Sequence, residues 1–135
     1  MQIKISDDFD LKKIIESGQC FRPRQIDSNW FEFITRDKIL RIRQIDVDTF
    51  EISCSKDDWT QIWIPYFDLE TNYDELRQKI LLKNPQNEFI QNAVEFGIGI
   101  RILRQDPLET LISFIISQRK SIPAIRTAIE KICAK

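Results

Sequence analysis

Apolar residues alternate along the first half of the chain and recur at helical spacing along the second. Residues 30–35, 38–44 and 47–54 are strand-like, and the short polar links Arg36-Asp37 and Asp46 between them predict an antiparallel meander. Phe50, Ile52 and Cys54 share one face of the third run. The second run is less clear: Ile39, Arg41, Arg43 and Ile45 fall on one alternation, and Leu40, Ile42 and Gln44 on the other. Ahead of the strands, Asp10 suits the N-cap of a short helix over 11–17, with Leu11, Ile14 and Ile15 inward and Gly18 where a helix stops.

In the second half, Asn72 and Asp106 are each followed three positions later by glutamate, a helix-opening pattern, and Pro107 fits the first helical position. Asn84-Pro85 predicts a further helix start, with Gly97 as its stop. Leu108, Leu111, Ile112, Ile115 and Ile116 form a wide apolar face and predict a deeply buried helix. Ile122, Ile125, Ile129 and Ile132 give another at the same spacing. The expected fold class is α+β: a small antiparallel β-sheet domain with helices over 1–70, then the first helices of an all-α domain over 71–135. The boundary falls near 68–72.

Composition narrows the chemistry. The 135 residues are 42% hydrophobic and 30% charged, with few glycines and prolines, as in a soluble folded chain. Nothing approaches the roughly 20 apolar residues of a membrane helix, and Met1-Gln2-Ile3-Lys4-Ile5 carries no signal-peptide core. Without histidine, His-based acid–base catalysis and His-containing zinc sites drop out. Cys20, Cys54 and Cys133 are odd in number and in no metal-ligand spacing. No metal or cofactor is expected, and the compartment expected is the cytoplasm of a bacterium or archaeon, with reduced thiols. Gly97-Ile98-Gly99 lacks a third glycine and a preceding strand, so it reads as a helix stop rather than a phosphate loop. Asp7-Asp8 and Asp57-Asp58 sit where helices begin and read as caps.

The net charge of −1 conceals an asymmetry: residues 97–135 carry seven basic and three acidic side chains. That local excess suits a polyanion, although solvated basic faces are common. Within it, Ser117-Gln118-Arg119-Lys120-Ser121 is a polar turn between two apolar helices. Held between them, Gln118, Arg119 and Lys120 could be pushed into a DNA stack to fill the gap left by a flipped base. A plain solvated turn is the alternative.

Two runs carry a resemblance. Ser17-Gly18-Gln19-Cys20-Phe21-Arg22, and Arg104-Gln105-Asp106-Pro107-Leu108-Glu109-Thr110-Leu111 continuing through the turn to Ile122, resemble in order two segments of 8-oxoguanine DNA glycosylases; Tyr66-Phe67-Asp68-Leu69 between them is also similar. The resemblance implies a TBP-like sheet domain and damaged double-stranded DNA as the partner. It also implies a lesion contact by the Gly18 carbonyl, which would accept from the hydrogen that 8-oxoguanine carries on N7 and repel the lone pair of guanine N7. Gly18 could also serve simply as a helix C-cap. Gln118, Arg119 and Lys120 become the implied DNA-binding residues.

This chain departs from the family pattern where eukaryotic members resemble Ser-Ser-Asn-Asn-Asn-Ile-Ala-Arg. Arg119 stands at the first asparagine position and Ala124 at that of the arginine, which predicts a relaxed demand for cytosine opposite the lesion. Pro23 replaces the usual aromatic after Phe21-Arg22. The family's nucleophilic lysine and its aspartate lie in and after a helix-hairpin-helix loop. Neither Lys131 nor Lys135 has that context, and the last helix breaks off at Cys133-Ala134-Lys135. The expectation is therefore the lesion-recognising front part of a Schiff-base glycosylase and lyase, with no catalytic residue of its own and inactive alone. A noncatalytic DNA-binding or protein-interaction domain of related ancestry is the alternative. Apolar faces left open on the last helices predict self-association.

Overall fold

A computed structural model describes residues 1–134. Five antiparallel strands form one sheet in the order β1-β5-β4-β3-β2: β1 (Gln2–Lys4), β2 (Arg24–Gln25), β3 (Phe31–Thr35), β4 (Lys38–Gln44) and β5 (Thr49–Ile52). The three strand-like runs become β3, β4 and β5, paired in sequence order as a meander. The expected ends contract, because Trp30, Val47, Cys54 and their neighbours lie outside the ladder.

The ambiguous second run resolves clearly. Leu40 and Ile42 are fully buried, while Ile39 and Arg41 face solvent. Beside them, Phe31, Phe33, Phe50 and Ile52 line the same inner face. Against that face packs α1 (Leu11–Glu16), capped by the Asp10 carboxylate accepting from the Lys13 N–H at 2.9 Å. A second helical run, α2, is α-helical at Lys56–Asp58, π-helical at Trp59–Trp63 and α-helical at Ile64–Tyr66. Pro65 explains the wide middle: in a regular α-helix its ring would press on the carbonyl four residues earlier. The π turn relieves that contact, with the Ile64 N–H donating to the Trp59 carbonyl five residues back. The run delivers Trp59, Trp63, Tyr66 and Phe67 to the core, where Phe67 stacks edge-on against Phe9 and Phe33.

Four more helices follow: α3 (Tyr73–Lys83), α4 (Glu88–Phe96), α5 (Pro107–Ser117) and α6 (Ile122–Cys133). Asn72 caps α3 and Asp106 caps α5, as their spacing predicts. The start of α4 is later than expected. Asn87 is its cap, whereas Asn84 closes α3, its side chain donating to the Ile80 carbonyl. Asp57 and Asp58 fall in the first turn of α2, but the capping oxygen is that of Ser55. Asp7 does accept from helix-end N–H groups, those of Tyr73 and Asp74 at the start of α3.

The largest correction concerns α5. Its face was expected to be deeply buried, yet no α5 residue is; Leu108, Leu111, Phe114 and Ile115 are all exposed. Among the described helices and strands α6 is the main neighbour along it, the 17–22 loop reaches Glu109, and together they do not cover so wide a stripe. In α6, Ile125 and Ile129 are buried while Ile122 and Ile132 remain exposed. No helix of the described residues is long and apolar enough to cross a membrane.

Candidate lesion-recognition and DNA interface

The run over 17–22 leaves α1 through Ser17, whose hydroxyl donates back to the Ile14 carbonyl at 2.7 Å. Gly18 follows with φ of +80°, and a Cβ built there would meet no atom within 4 Å. Backbone conformation, not space, therefore favours glycine. The residue is exposed, and among the described residues no group donates to its carbonyl. That carbonyl is presented, not buried.

What fixes it is Gln19. Its amide nitrogen donates to the Arg101 carbonyl at 2.8 Å, and its amide oxygen accepts from the Leu103 N–H at 3.0 Å. The Gln19 backbone carbonyl in turn accepts from the Gln105 side chain at 2.6 Å. Arg22 forms an ion pair with Glu109 on α5. The two runs singled out in the sequence thus dock on one another, Gln19 on Gln105 and Arg22 on Glu109.

The 101–105 segment is itself anchored. Arg101 is fully buried and donates to Asp7 at 2.7 Å, to the Asp68 carbonyl at 2.5 Å and to the Thr71 carbonyl at 3.0 Å. Its guanidinium lies 3.9 Å from the centre of the Tyr73 ring, a cation–π contact. Burial works to raise the Asp7 carboxyl, but the Tyr73 N–H and the Arg101 cation outweigh it and hold the group below its ordinary value. Gly99, with φ of +88°, lets the chain pass Asp10, whose N–H donates to the Gly99 carbonyl at 2.9 Å; an added Cβ would stand 2.6 Å from the Asp10 Cβ.

No thiolate is available beside Gly18. Burial pushes the Cys20 thiol up to about 12, against a smaller opposing effect of the nearby Arg126 cation. Burial likewise raises Tyr66. Among the described residues no three His, Cys, Asp or Glu side chains cluster to hold a metal ion.

The α5–α6 turn places Gln118, Arg119 and Lys120 in solvent. The Gln118 side chain folds back to donate to the Phe114 carbonyl at 3.2 Å. Arg119 adopts a left-handed conformation, φ of +57°, and neither it nor Lys120 makes a side-chain hydrogen bond or ion pair among the described residues. The turn is not clamped between two buried helices as expected. It is closed by its own backbone, with the Lys120 N–H donating to the Ser117 carbonyl at 3.2 Å. Among the described residues no hydrogen bond or ion pair joins Gly18 to the turn, but both flanking helices reach the 17–22 region. Glu109 of α5 pairs with Arg22, and Arg126 of α6 donates to the Ile15 carbonyl at 3.3 Å. Lys131 is exposed on α6, and Lys135 lies outside the described residues.

Sequence reasoning named Gly18 but not the residues that hold it, Gln19, Gln105, Glu109 and Arg126. The first three lie inside the two quoted runs, so the signal was there; their partners were not readable from either run alone.

Comparison with known proteins gives a consistent picture. The model of a family described as 8-oxoguanine DNA glycosylase, N-terminal domain, matches residues 2–111. The structure of MBOgg1 in complex with a low-affinity DNA ligand is similar at 36% identity and a TM-score of 0.83, over 93% of this chain and 42% of that one. The apo form of the Clostridium acetobutylicum 8-oxoguanine glycosylase/lyase is similar at 33% identity and a TM-score of 0.81, over 93% and 42%. The same enzyme with double-stranded DNA containing cytosine opposite 8-oxoG gives 34%, 0.78, 93% and 45%. This chain spans less than half the length of those chains.

Proposed function

Since the chain belongs to the family of 8-oxoguanine DNA glycosylase N-terminal domains, we propose that it is the lesion- and DNA-recognising part of a base-excision enzyme that removes 8-oxoguanine from duplex DNA. The observation that carries this reading is the docking of the 17–22 run on the 103–109 run, which leaves the Gly18 carbonyl unpaired on a loop braced from both sides. A fixed acceptor of this kind favours a base with a hydrogen on N7 and disfavours one with a lone pair there.

Catalysis by the enzyme runs through a lysine Schiff base that this chain does not supply. Borohydride therefore traps no adduct between this chain and lesion DNA. Arg119 and Lys120, with no partner among the described residues, are the side chains that enter the duplex and occupy the place of the flipped nucleotide. With Arg119 in the turn and Ala124 at the start of α6, opposite-base reading is weak, so an enzyme carrying this chain cleaves opposite cytosine and opposite adenine at comparable rates. A large preference for cytosine would sink that part. The compartment is cytoplasmic, and the 1–70 sheet domain is continuous with a helical domain beginning near 71.

The direct test is anisotropy of labelled duplexes at low salt. The chain should bind an 8-oxoguanine duplex weakly, more tightly than its guanine counterpart, and lose that binding as salt rises. Equal affinity for the two duplexes would remove the role given to Gly18. The exposed α5 face favours self-association of the chain, which sedimentation at increasing concentration measures.

A further inference from the structure

Beyond the Gly18 loop and the α5–α6 turn, a groove of about 340 Å³ opens between the β3–β4 hairpin, α2 and the segment leading into α5. Arg36, Lys38 and Arg104 line it, together with Gln61 and Gln105. Each cation has a carboxylate partner: Arg36 with Asp106 at 2.8 Å, Lys38 with Asp58 at 3.1 Å, and Arg104 with Asp68 at 2.6 Å. Two of these pairs are layered in one sense, whereas Lys38 and Asp58 are about equally exposed. The Arg36 and Arg104 side chains are 72% and 65% exposed, whereas those of Asp106 and Asp68 are 15% and 11% exposed.

The carboxylates are also engaged elsewhere. Asp106 accepts from the Leu108 and Glu109 N–H groups as the α5 cap. Asp68 accepts from the hydroxyls of Thr71 and Tyr73. The cations, by contrast, keep spare donors: among the described residues the Arg36 side chain uses only Nε and the Arg104 side chain only Nη2. Around Arg36 and Arg104 negative charge therefore lies beneath and positive charge with unused N–H groups lies at the rim, beside the exposed carboxylate of Asp37. Such a surface attracts a linear polyanion without reading it, which is what phosphate contacts do.

The groove also joins the recognition loop. Gln105 lines it and donates to the Gln19 carbonyl, and Arg22, the next anchor of that loop, donates to the Arg36 carbonyl at 3.4 Å. We propose that Arg36, Lys38 and Arg104 form a phosphate-backbone track for duplex DNA flanking the lesion, extending the interface across the sheet domain. The track rests on the DNA-recognition reading above, since it presupposes the same duplex.

The test is the salt dependence of binding to fluorescein-labelled duplexes, damaged and undamaged, followed by anisotropy. Each lost phosphate contact lowers the slope of log affinity against log salt by about 0.9. The variant carrying Arg36→Gln, Lys38→Gln and Arg104→Gln should lower it by roughly two to three, equally on both duplexes. Lys38→Gln alone, which leaves the other two pairs intact, should lower it by about one and serves if the triple variant fails to fold. Unchanged slopes for a folded groove variant, with binding still weakened by Lys120→Gln, overturn the track and leave the DNA reading standing. A wild-type chain that binds neither duplex at low salt removes both.

Discussion

Replacing Arg101 with methionine tests how the Gly18 loop is held. Methionine fills much of the buried stem volume but offers no donor. The loss comprises the 2.7 Å pair with Asp7, the bonds to the Asp68 and Thr71 carbonyls and the contact with the Tyr73 ring. Removing one partner of a buried ion pair costs about 3–5 kcal/mol when the other charge is stranded. Asp7 is not wholly stranded, because the Tyr73 N–H at 2.6 Å still holds it at the positive end of α3. The orphaned carbonyls add to the cost and offset that relief, so the middle of the range applies, about 4 kcal/mol. Urea unfolding followed by the fluorescence of buried Trp59 and Trp63 measures it. In a double-mutant cycle with Asp7→Asn, a coupling of about 1–3 kcal/mol is expected between the two sites. A pH series adds an independent check. The folded Asp7 carboxyl lies below its unfolded value, so its contribution is complete above about pH 4 and fades as pH falls through the folded value. In Arg101→Met that acid-side decline should shrink. A loss under about 1 kcal/mol, or strict additivity with Asp7→Asn, refutes the reasoning.

Other substitutions probe single features. Gly18→Ala should cost about 1–2 kcal/mol by calorimetry, from the left-handed backbone alone because nothing obstructs the added carbon. Gly99→Ala adds a collision with Asp10 to the same strain and should cost about 2–4 kcal/mol; an effect no larger than that of Gly18→Ala contradicts the close approach. Arg119→Asn should raise stability by up to about 1 kcal/mol, since asparagine tolerates that conformation, while weakening lesion-duplex binding; gain or loss in both together argues against a strained working residue. Iodoacetamide should label exposed Cys133 well before Cys20, as peptide mass analysis would show, and equal labelling would contradict the buried thiol.

The sequence exposed much of this arrangement where the cause is local. Asp10, Asn72 and Asp106 cap helices because a short side chain meets N–H groups two or three residues on, which spacing alone reveals. The meander was legible for the same reason. Strands β1 and β2 were not, being too short to show a period; they exist through pairing with β5 and β3. Periodicity likewise shows that α5 has an apolar face, but not whether anything covers it. At the candidate site, Gly18 was readable as a backbone need. The brace around it was not, because Gln19 and Gln105 are polar residues whose partners are set by the tertiary fold.

The brace also bears on how the molecule is made. Gln19 and Leu103 are 84 residues apart, Gln19 and Gln105 86, and Arg22 and Glu109 87. Contacts of such long range close late, after the local helices and the β3–β4 hairpin have formed. During synthesis the Gly18 loop thus waits for α5 to emerge before it stiffens. The Leu103 amide, which donates to the Gln19 side chain, should be among the slowest to gain protection in pulsed hydrogen exchange during refolding.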